Sequence, residues 1–97
     1  MARQQQHPSE CVREVILGNP AGLHARPATA FVDRATKFHS DVVLIKDGRE
    51  ANGKSIIEIL ALGAEQGARL TLSTRGPDAR AALEALLGLL ETKLDET

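Results

Sequence analysis

The sequence predicts an α+β fold, a two-layer sandwich in which helices cover one face of a mostly antiparallel sheet. Two observations support this prediction. Short β-branched or alternating segments lie between turn residues, and the segments that separate them repeat their apolar residues at helical spacing. The predicted order is βαββαβα, which has too few elements for a doubly wound fold. With 97 residues, of which 42% are apolar, the chain is expected to form one domain with one aliphatic core.

The chain begins with a polar segment that precedes the first strand. Residues Met1 to Glu10 are interpreted as a disordered or loosely attached extension, of which only the last residues would join the fold. The folded domain is predicted to cover residues 11–97. Its first strand, Val12 to Leu17, ends at the structure breakers Gly18-Asn19-Pro20. Apolar residues at helical spacing then predict helix one from about Ala25 to Phe38.

The middle of the chain predicts a hairpin and a short helix. A β-branched strand, Asp41 to Lys46, is followed by Asp47-Gly48, which is favoured in two-residue hairpin turns, and by a third strand, Arg49 to Asn52. The run Ser55-Ile56-Ile57-Glu58 has the form of a capping box, in which the serine accepts a hydrogen bond from the helix and the glutamate reaches back. It predicts a second helix that runs to about Ala64.

The last third of the chain predicts one more strand and one more helix. The segment Ala68 to Thr74 alternates leucines with polar residues and is typical of a strand with one solvated face. Gly76-Pro77-Asp78 predicts a turn that ends in a helix cap. The final helix has the clearest apolar stripe in the chain. This stripe consists of Ala79, Ala82, Leu83, Leu86, Leu87, Leu90 and Leu94.

Composition argues against several kinds of partner and site. Twelve basic and thirteen acidic residues give no basic footprint for nucleic acid, and two phenylalanines offer no platform for base stacking. Cys11 is the only cysteine and the three histidines lack ligand spacing, so no disulfide within the chain, no metal and no cofactor are expected. No apolar run suits a signal peptide or a membrane span, so a cytoplasmic protein without membrane insertion is expected.

One loop combines a histidine with the start of a helix. It reads Gly22-Leu23-His24-Ala25-Arg26-Pro27-Ala28. Pro27 suits the first helical turn, where a backbone N–H would have no intrahelical partner, so the helix begins close to His24. A phosphoryl group on that ring would face free amides, including those of Ala25 and Arg26, and the positive end of the helix dipole. The Arg26 side chain would add a mobile cation. The alternative for the histidine alone is a loop or cap residue.

This heptapeptide resembles the active-site motif of HPr, the histidine phosphocarrier of the bacterial phosphoenolpyruvate:sugar phosphotransferase system. A second block is similar and lies at the separation found in that family, so the resemblance extends from about Cys11 to Leu90. The second block comprises Asn52-Gly53-Lys54-Ser55-Ile56-Ile57, Leu62-Gly63 and Gly67. The resemblance implies an open-faced sandwich with strand order 1-4-2-3 and three helices on one side. It also implies a phosphoryl carrier rather than an enzyme.

The resemblance assigns roles to individual residues. It implies that His24 carries the phosphoryl group on Nδ1, receives it from the phosphohistidine of enzyme I and passes it to a sugar-specific enzyme IIA, while Arg26 helps to neutralise it. The matching family positions form an apolar docking patch beside the histidine. The candidates for this docking patch are Thr29, Ile56, Ile57 and Leu60. Such a relay needs only a monomer that meets its partners briefly.

Ser55 has two competing interpretations. It matches the position that the HPr kinase/phosphorylase phosphorylates in many Gram-positive members of the family. A capping role opposite Glu58 would explain the serine without any regulation. Glu58 and Asp33 also depart from the family pattern, since related carriers often have glycine or lysine at the first position and lysine at the second.

Other hypotheses for the function of the chain stay open. The nearest is the carrier of the nitrogen-related phosphotransferase system, which uses the same chemistry, and another is the carrier of a dihydroxyacetone kinase relay. From a different class comes a regulatory module without relay function, which would bind a transcriptional regulator through Ser55 and the apolar surface.

Overall fold

Seven elements follow one another in the order that the sequence predicts. They are taken from a computed structural model that describes residues 9–91. The strands are β1 (Glu10–Ile16), β2 (Asp41–Lys46), β3 (Arg49–Asn52) and β4 (Arg69–Arg75). The helices are α1 (Ala25–Ala35), α2 (Ile56–Ala61) and α3 (Ala79–Glu91).

The four strands form one antiparallel sheet in the order β1-β4-β2-β3. In this register Val15 lies opposite Leu70, and Leu44 lies opposite Leu72 on one side and Ala51 on the other. The predicted fold class is therefore confirmed, including the strand order that the family resemblance implied. The hairpin turn at Asp47-Gly48 is also confirmed, with positive φ at both residues.

Alternating strand residues separate a covered face of the sheet from an open face. The buried side chains of the strands join those of all three helices in one core. Its largest members are Phe31, Leu17, Leu44, Ile59, Leu70, Leu72, Leu83, Leu86 and Leu90. On the open face of β1, Val12 and Ile16 are each about half exposed. The helices thus cover one face of the sheet only, as predicted.

Helix α1 is shorter than predicted, since it ends at Ala35 instead of Phe38. The residues after it are held by contacts with distant parts of the chain. The Lys54 ammonium group donates to the Phe38 carbonyl oxygen at 2.8 Å. Because this partner lies 16 residues away, the local apolar spacing could not reveal where the helix ends.

The carboxylate of Asp78, in the turn after β4, holds the segment that follows α1. Asp78 accepts hydrogen bonds from the backbone N–H groups of His39 and Ser40, both at 2.9 Å, and from the Ser40 hydroxyl at 2.6 Å. The Ser40 hydroxyl bond, followed by the His39 N–H bond, lowers the pKa of the Asp78 carboxyl to about 2. Asp78 directly precedes α3, where a cap was predicted, and its carboxylate also joins this helix start to the end of α1.

Helix α2 is also shorter than predicted, since it ends at Ala61 and not near Ala64. Gly63 follows with φ +63°, a left-handed conformation that commonly ends helices. The carbonyl oxygen of Ala64 accepts a hydrogen bond from the N–H of Leu23 at 2.9 Å. The residues predicted to extend α2 therefore support the loop before α1.

Strand boundaries also differ slightly from the prediction. β1 begins at Glu10, which pairs with Arg75, so the last residue assigned to the extension belongs to the sheet. β4 begins one residue later than expected, at Arg69. Residues 1–8, which make up most of the predicted extension, and Leu94 of the predicted last helix lie outside the described residues. Within residues 9–91, no helix is long and apolar enough to span a membrane.

Candidate functional site

His24 stands at the N-terminal end of α1, with its side chain exposed. Its backbone is extended, and its imidazole makes no hydrogen bond to the helix that it precedes. Its carbonyl oxygen accepts the first helical bond, from the N–H of Ala28 at 2.8 Å. The imidazole is thus presented to solvent beside a helix start that it does not cap.

The first turn of α1 has N–H groups available for an anion. Ala25 and Arg26 are the first two helical residues, so their backbone N–H groups have no intrahelical acceptor. Pro27 is the third and has no N–H to satisfy. No acidic side chain lies in this turn, and the Arg26 side chain is exposed. An anion on His24 would meet two amides, a guanidinium group and the positive end of the helix dipole.

Glycine shapes the approach to His24. Gly22 has φ +70°, and a Cβ at this position would lie 2.6 Å from the carbonyl oxygen of Ala64. This close approach allows the N–H of Leu23 to donate to the same carbonyl oxygen, and the Leu23 side chain is buried. The residue before His24 is therefore fixed on both its backbone and its side chain.

The far end of the same loop bonds to the turn before β4 and to α3. The N–H of Leu17 donates to the carbonyl of Ala68, and the N–H of Gly67 donates back to the carbonyl of Leu17. The N–H of Gly18 donates to the carbonyl of Leu90 at 2.9 Å. A side chain at Gly18 would collide with the carbonyl of Glu91, which explains the glycine there.

Asn19 is a residue whose contribution the sequence analysis missed. It was used only as a structure breaker, together with its neighbours Gly18 and Pro20. The residue is 6% exposed, and its side chain is hydrogen bonded within the loop that leads to His24. Asparagine is a residue whose side chain often bonds to backbone two or three residues on, and this property was the available signal.

Ser55 is the N-cap of α2, as predicted. Its hydroxyl oxygen accepts a hydrogen bond from the N–H of Glu58 at 3.3 Å. The second half of the predicted capping box is wrong, since the Glu58 carboxylate accepts from the N–H of Asn52 at 2.8 Å. The N–H of Ser55 donates to the carbonyl of Asn52 instead. The turn between β3 and α2 folds back and brings the Asn52 amide to the glutamate.

The predicted docking residues differ in exposure. Ile57 is 75% exposed and Leu60 is 40% exposed, and Thr29 is exposed on α1, which contacts α2. Ile56 is partly buried and packs against the core. The Thr29 hydroxyl donates to the carbonyl of Ala25 at 2.7 Å, one turn back along α1. Three of the four residues thus offer accessible surface, while Ile56 offers less.

Among the described residues, no group of three histidine, cysteine, aspartate or glutamate side chains could hold a metal ion. The chemistry available at His24 is that of a nucleophilic imidazole beside donors for an anionic product.

Comparisons with known proteins agree with this geometry. The family model for the PTS HPr component phosphorylation site matches residues 11–92. The phosphocarrier protein HPr of Treponema pallidum is 41% identical over 85 residues, which cover 88% of this chain and 97% of that protein.

Two solved structures are similar to this fold. The crystal structure of an HPr from Thermoanaerobacter tengcongensis has a TM-score of 0.85 and 41% identity, and the match covers 90% of this chain and 98% of that one. A structure of Bacillus subtilis Crh, described as a catabolite repression protein and a dimer with a swapped domain, has a TM-score of 0.69 and 36% identity over 94% of each chain. The chain belongs to the HPr family of phosphocarrier proteins.

Proposed function

We propose that His24 accepts a phosphoryl group from the phosphohistidine of enzyme I and passes it to an enzyme IIA of a sugar phosphotransferase system. The observation that carries this proposal is the exposed imidazole of His24 at a helix start with unused N–H groups. The Nδ1 lone pair attacks phosphorus as the donor's nitrogen–phosphorus bond breaks, and that bond's electron pair returns to the donor imidazole. No further reactant is required. The chain acts as a carrier and forms a covalent intermediate.

Residues beside His24 would stabilise the phosphoryl group. The backbone N–H groups of Ala25 and Arg26 would donate to its oxygens, and the Arg26 guanidinium would offset its charge. Phosphoryl transfer needs mainly positioning and charge stabilisation, so these groups supply what the carrier must contribute. The partner proteins would provide the remaining groups.

We also propose that partners dock on the exposed apolar side chains of α2 and on the neighbouring surface of α1. Ile57 and Leu60, with Thr29 and the less accessible Ile56, are the contact residues. Exposed apolar side chains that lie together favour a protein contact. A monomer in the cytoplasm that meets enzyme I and enzyme IIA in turn is sufficient for this relay. Because Crh is described as a dimer, light scattering of this chain is the matching test.

Regulation through Ser55 is a second candidate function. It is favoured by the similarity to Crh, which is described as a catabolite repression protein. A kinase of the HPr kinase/phosphorylase class would modify Ser55, and a transcriptional regulator would bind the product. A phosphate on Ser55 would replace the bond to the Glu58 N–H and would face the Glu58 carboxylate.

The proposed relay is tested by incubating the protein with phosphoenolpyruvate and enzyme I and measuring its intact mass. We expect the gain of one acid-labile phosphoryl group, which is absent in His24→Ala. His39→Ala is the matched control, because His39 is also exposed and contributes only its backbone N–H to a described hydrogen bond. This control should gain the group normally.

Parallel reactions separate the alternatives. Phosphorylation by an enzyme I of the sugar system supports the sugar branch, whereas a preference for the nitrogen-related enzyme I supports that branch. An acid-stable gain with the kinase, lost in Ser55→Ala, supports regulation through Ser55. If neither enzyme I from the source organism phosphorylates the chain, the relay is wrong.

A further inference from the structure

We infer that Asn19 is a positioning residue, which holds the loop before His24 in the orientation that phosphoryl transfer requires. The inference rests on the proposed function of His24 as acceptor, and it assigns a task to a residue outside the seven-residue motif. It is carried by the hydrogen bonds of a buried side chain.

Asn19 closes the turn that it begins. Its side-chain Nδ2 donates to the carbonyl oxygen of Gly22 at 3.1 Å, and its Oδ1 accepts from the N–H of Ala21 at 3.4 Å. Its backbone carbonyl accepts from the N–H of Gly22 at 2.9 Å. Asn19 is only 6% exposed, so water does not readily replace these bonds. Residues 19–22 are therefore held as one unit.

The Asn19 amide acts on the peptide group between Gly22 and Leu23, the residue that precedes His24. The carbonyl of Gly22 and the N–H of Leu23 belong to the same planar peptide unit. Asn19 Nδ2 holds the oxygen of this unit, and the carbonyl of Ala64 holds its N–H at 2.9 Å. These two hydrogen bonds, at opposite edges of the planar peptide unit, prevent the unit from rotating. Gly22 makes this anchoring necessary, because a glycine otherwise permits many backbone conformations.

His24 depends on this anchored peptide for its direction. The imidazole makes no bond to its own helix, so its approach to a partner is set by the backbone on either side. Helix α1 fixes one side, and the Gly22–Leu23 peptide fixes the other. Transfer between two imidazoles requires both nitrogens in line with phosphorus, and small errors in such geometry are costly to the rate. Loss of the Asn19 anchor should therefore slow transfer without weakening docking.

The test compares two variants of Asn19 with a matched control. Asn19→Ala removes both side-chain bonds. Asn19→Asp keeps an acceptor for the Ala21 N–H but loses the donor to Gly22, and it is the main variant if Asn19→Ala does not fold. Thr74→Val is the control, since it removes a buried hydroxyl bond to the carbonyl of Ala79 at 2.7 Å. Thr74 lies near the other end of β4 from the loop.

The free energy of unfolding of each protein is first measured in urea. Separate folded samples are then assayed as substrates of phosphorylated enzyme I, with kcat and KM measured separately. We expect both Asn19 variants to lower kcat roughly ten- to hundredfold. Their KM should stay within about twofold, because Ile57 and Leu60 are unchanged. Thr74→Val should keep its kcat within about twofold, even where its loss of stability matches that of Asn19→Ala. The imidazole NMR signals of His24 should shift in the Asn19 variants only.

Two failures are distinguishable in this experiment. If the unmodified chain accepts no phosphoryl group, the proposed function is wrong and the inference falls with it. If the unmodified chain is phosphorylated but the Asn19 variants retain kcat, or lose no more than Thr74→Val at equal stability, the inference alone is wrong.

Discussion

The first turns of α1 and α2 differ in whether a side chain caps their backbone N–H groups. At α1, His24 makes no side-chain bond to the helix, and no acidic residue lies in the turn. At α2, the Ser55 hydroxyl accepts from the N–H of Glu58, and the Glu58 carboxylate accepts from Asn52. One first-turn N–H group of α2, that of Glu58, therefore has a side-chain acceptor, whereas none in the first turn of α1 is met by the His24 side chain.

The two starts also differ in how they are held. The segment before α1 is fixed by distant backbone groups, the carbonyls of Ala64 and Leu90. The segment before α2 combines bonds within its own turn, such as that from the N–H of Lys54 to the Asn52 amide oxygen at 2.9 Å, with one distant backbone bond, from the N–H of Gly53 to the carbonyl of Val42 at 2.7 Å. The start of α1 can thus lack a side-chain cap because the loop before it is held by contacts with distant residues. This difference predicts that mutations will separate stability from transfer at the two sites.

The largest expected effect concerns the close packing behind α1. Gly22→Ala should lower the free energy of unfolding by about 2–4 kcal/mol, because it combines a left-handed backbone with a collision against the Ala64 carbonyl. Gly63→Ala is the control at the end of α2, with a similar φ of +63° and nothing within 4 Å of the added carbon. It should cost about 1–2 kcal/mol. Urea unfolding measures both, and equal losses would contradict the proposed difference.

The second prediction concerns charge at the open helix start. Arg26→Ala should slow phosphorylation of His24 roughly tenfold, because it removes the cation nearest to the acquired charge. Its free energy of unfolding should change by less than about 0.5 kcal/mol, since the side chain is exposed. Arg34→Ala, in the last turn of the same helix, is the control and should transfer normally. Equal slowing in both variants would mean that only the overall charge matters.

The third prediction removes the side chain of each N-cap residue in turn. Ser55→Ala should lower the free energy of unfolding by about 1 kcal/mol, because the N–H of Glu58 loses its acceptor. His24→Ala should change it by less than about 0.5 kcal/mol, since the imidazole makes no capping bond. Chemical unfolding tests both variants. A marked loss of stability in His24→Ala would contradict the contrast between a helix start without a side-chain cap and one with such a cap.

The last prediction concerns the segment before α3, where the Asp78 carboxylate accepts hydrogen bonds from His39 and Ser40. The pKa of Asp78 falls from 3.8 to about 2 in the folded chain, chiefly through the Ser40 hydroxyl. Because the folded pKa is the lower one, the carboxylate stabilises the fold above pH 3.8, and this contribution is lost as pH falls through about 2. Asp78→Asn should therefore be less stable than the unmodified chain at pH 6, with the difference shrinking towards pH 2.

Urea unfolding between pH 2 and pH 6 measures this dependence. Ser40→Ala should weaken it, since Ser40 provides the largest cause of the pKa change. A difference between Asp78→Asn and the unmodified chain that is equal at both pH limits would contradict the assignment.

Local patterns were enough to predict the order of elements and the position of His24 at a helix start. Periodicity, turn dipeptides and a proline in the first helical turn all act within a few residues. The end of α1 was not predictable in this way, since the apolar spacing continues to Phe38 although the N–H groups of Lys37 and Phe38 already bond three residues back. The residues that follow are held by Lys54 and Asp78, which are 16 and 38 residues from their partners. The partner of the Glu58 carboxylate was missed because the path of the turn before α2 decides which N–H it reaches.

The residues of the candidate site also fall into those that local patterns predict and those that only the fold reveals. His24, Arg26 and Ser55 belong to sequence motifs whose chemistry is carried by residue type and spacing. Asn19 could be recognised only once the Gly22 carbonyl was seen to turn towards its side chain. Strand order likewise required more than periodicity, and it came from the family resemblance.

The bond between Gly18 and Leu90 has a practical consequence for building reporters from this protein. Because the carbonyl of Leu90 in the last turn of α3 accepts from the N–H of Gly18, a fluorophore or an affinity tag attached to Glu91 would lie beside the loop that leads to His24. The start of β1 lies at the opposite end of that strand, about 20 Å away, where Ser9 accepts from the N–H of Gly76. If partners dock near His24 as proposed, a dye on Glu91 would report their arrival, and a handle on Ser9 would lie away from that encounter.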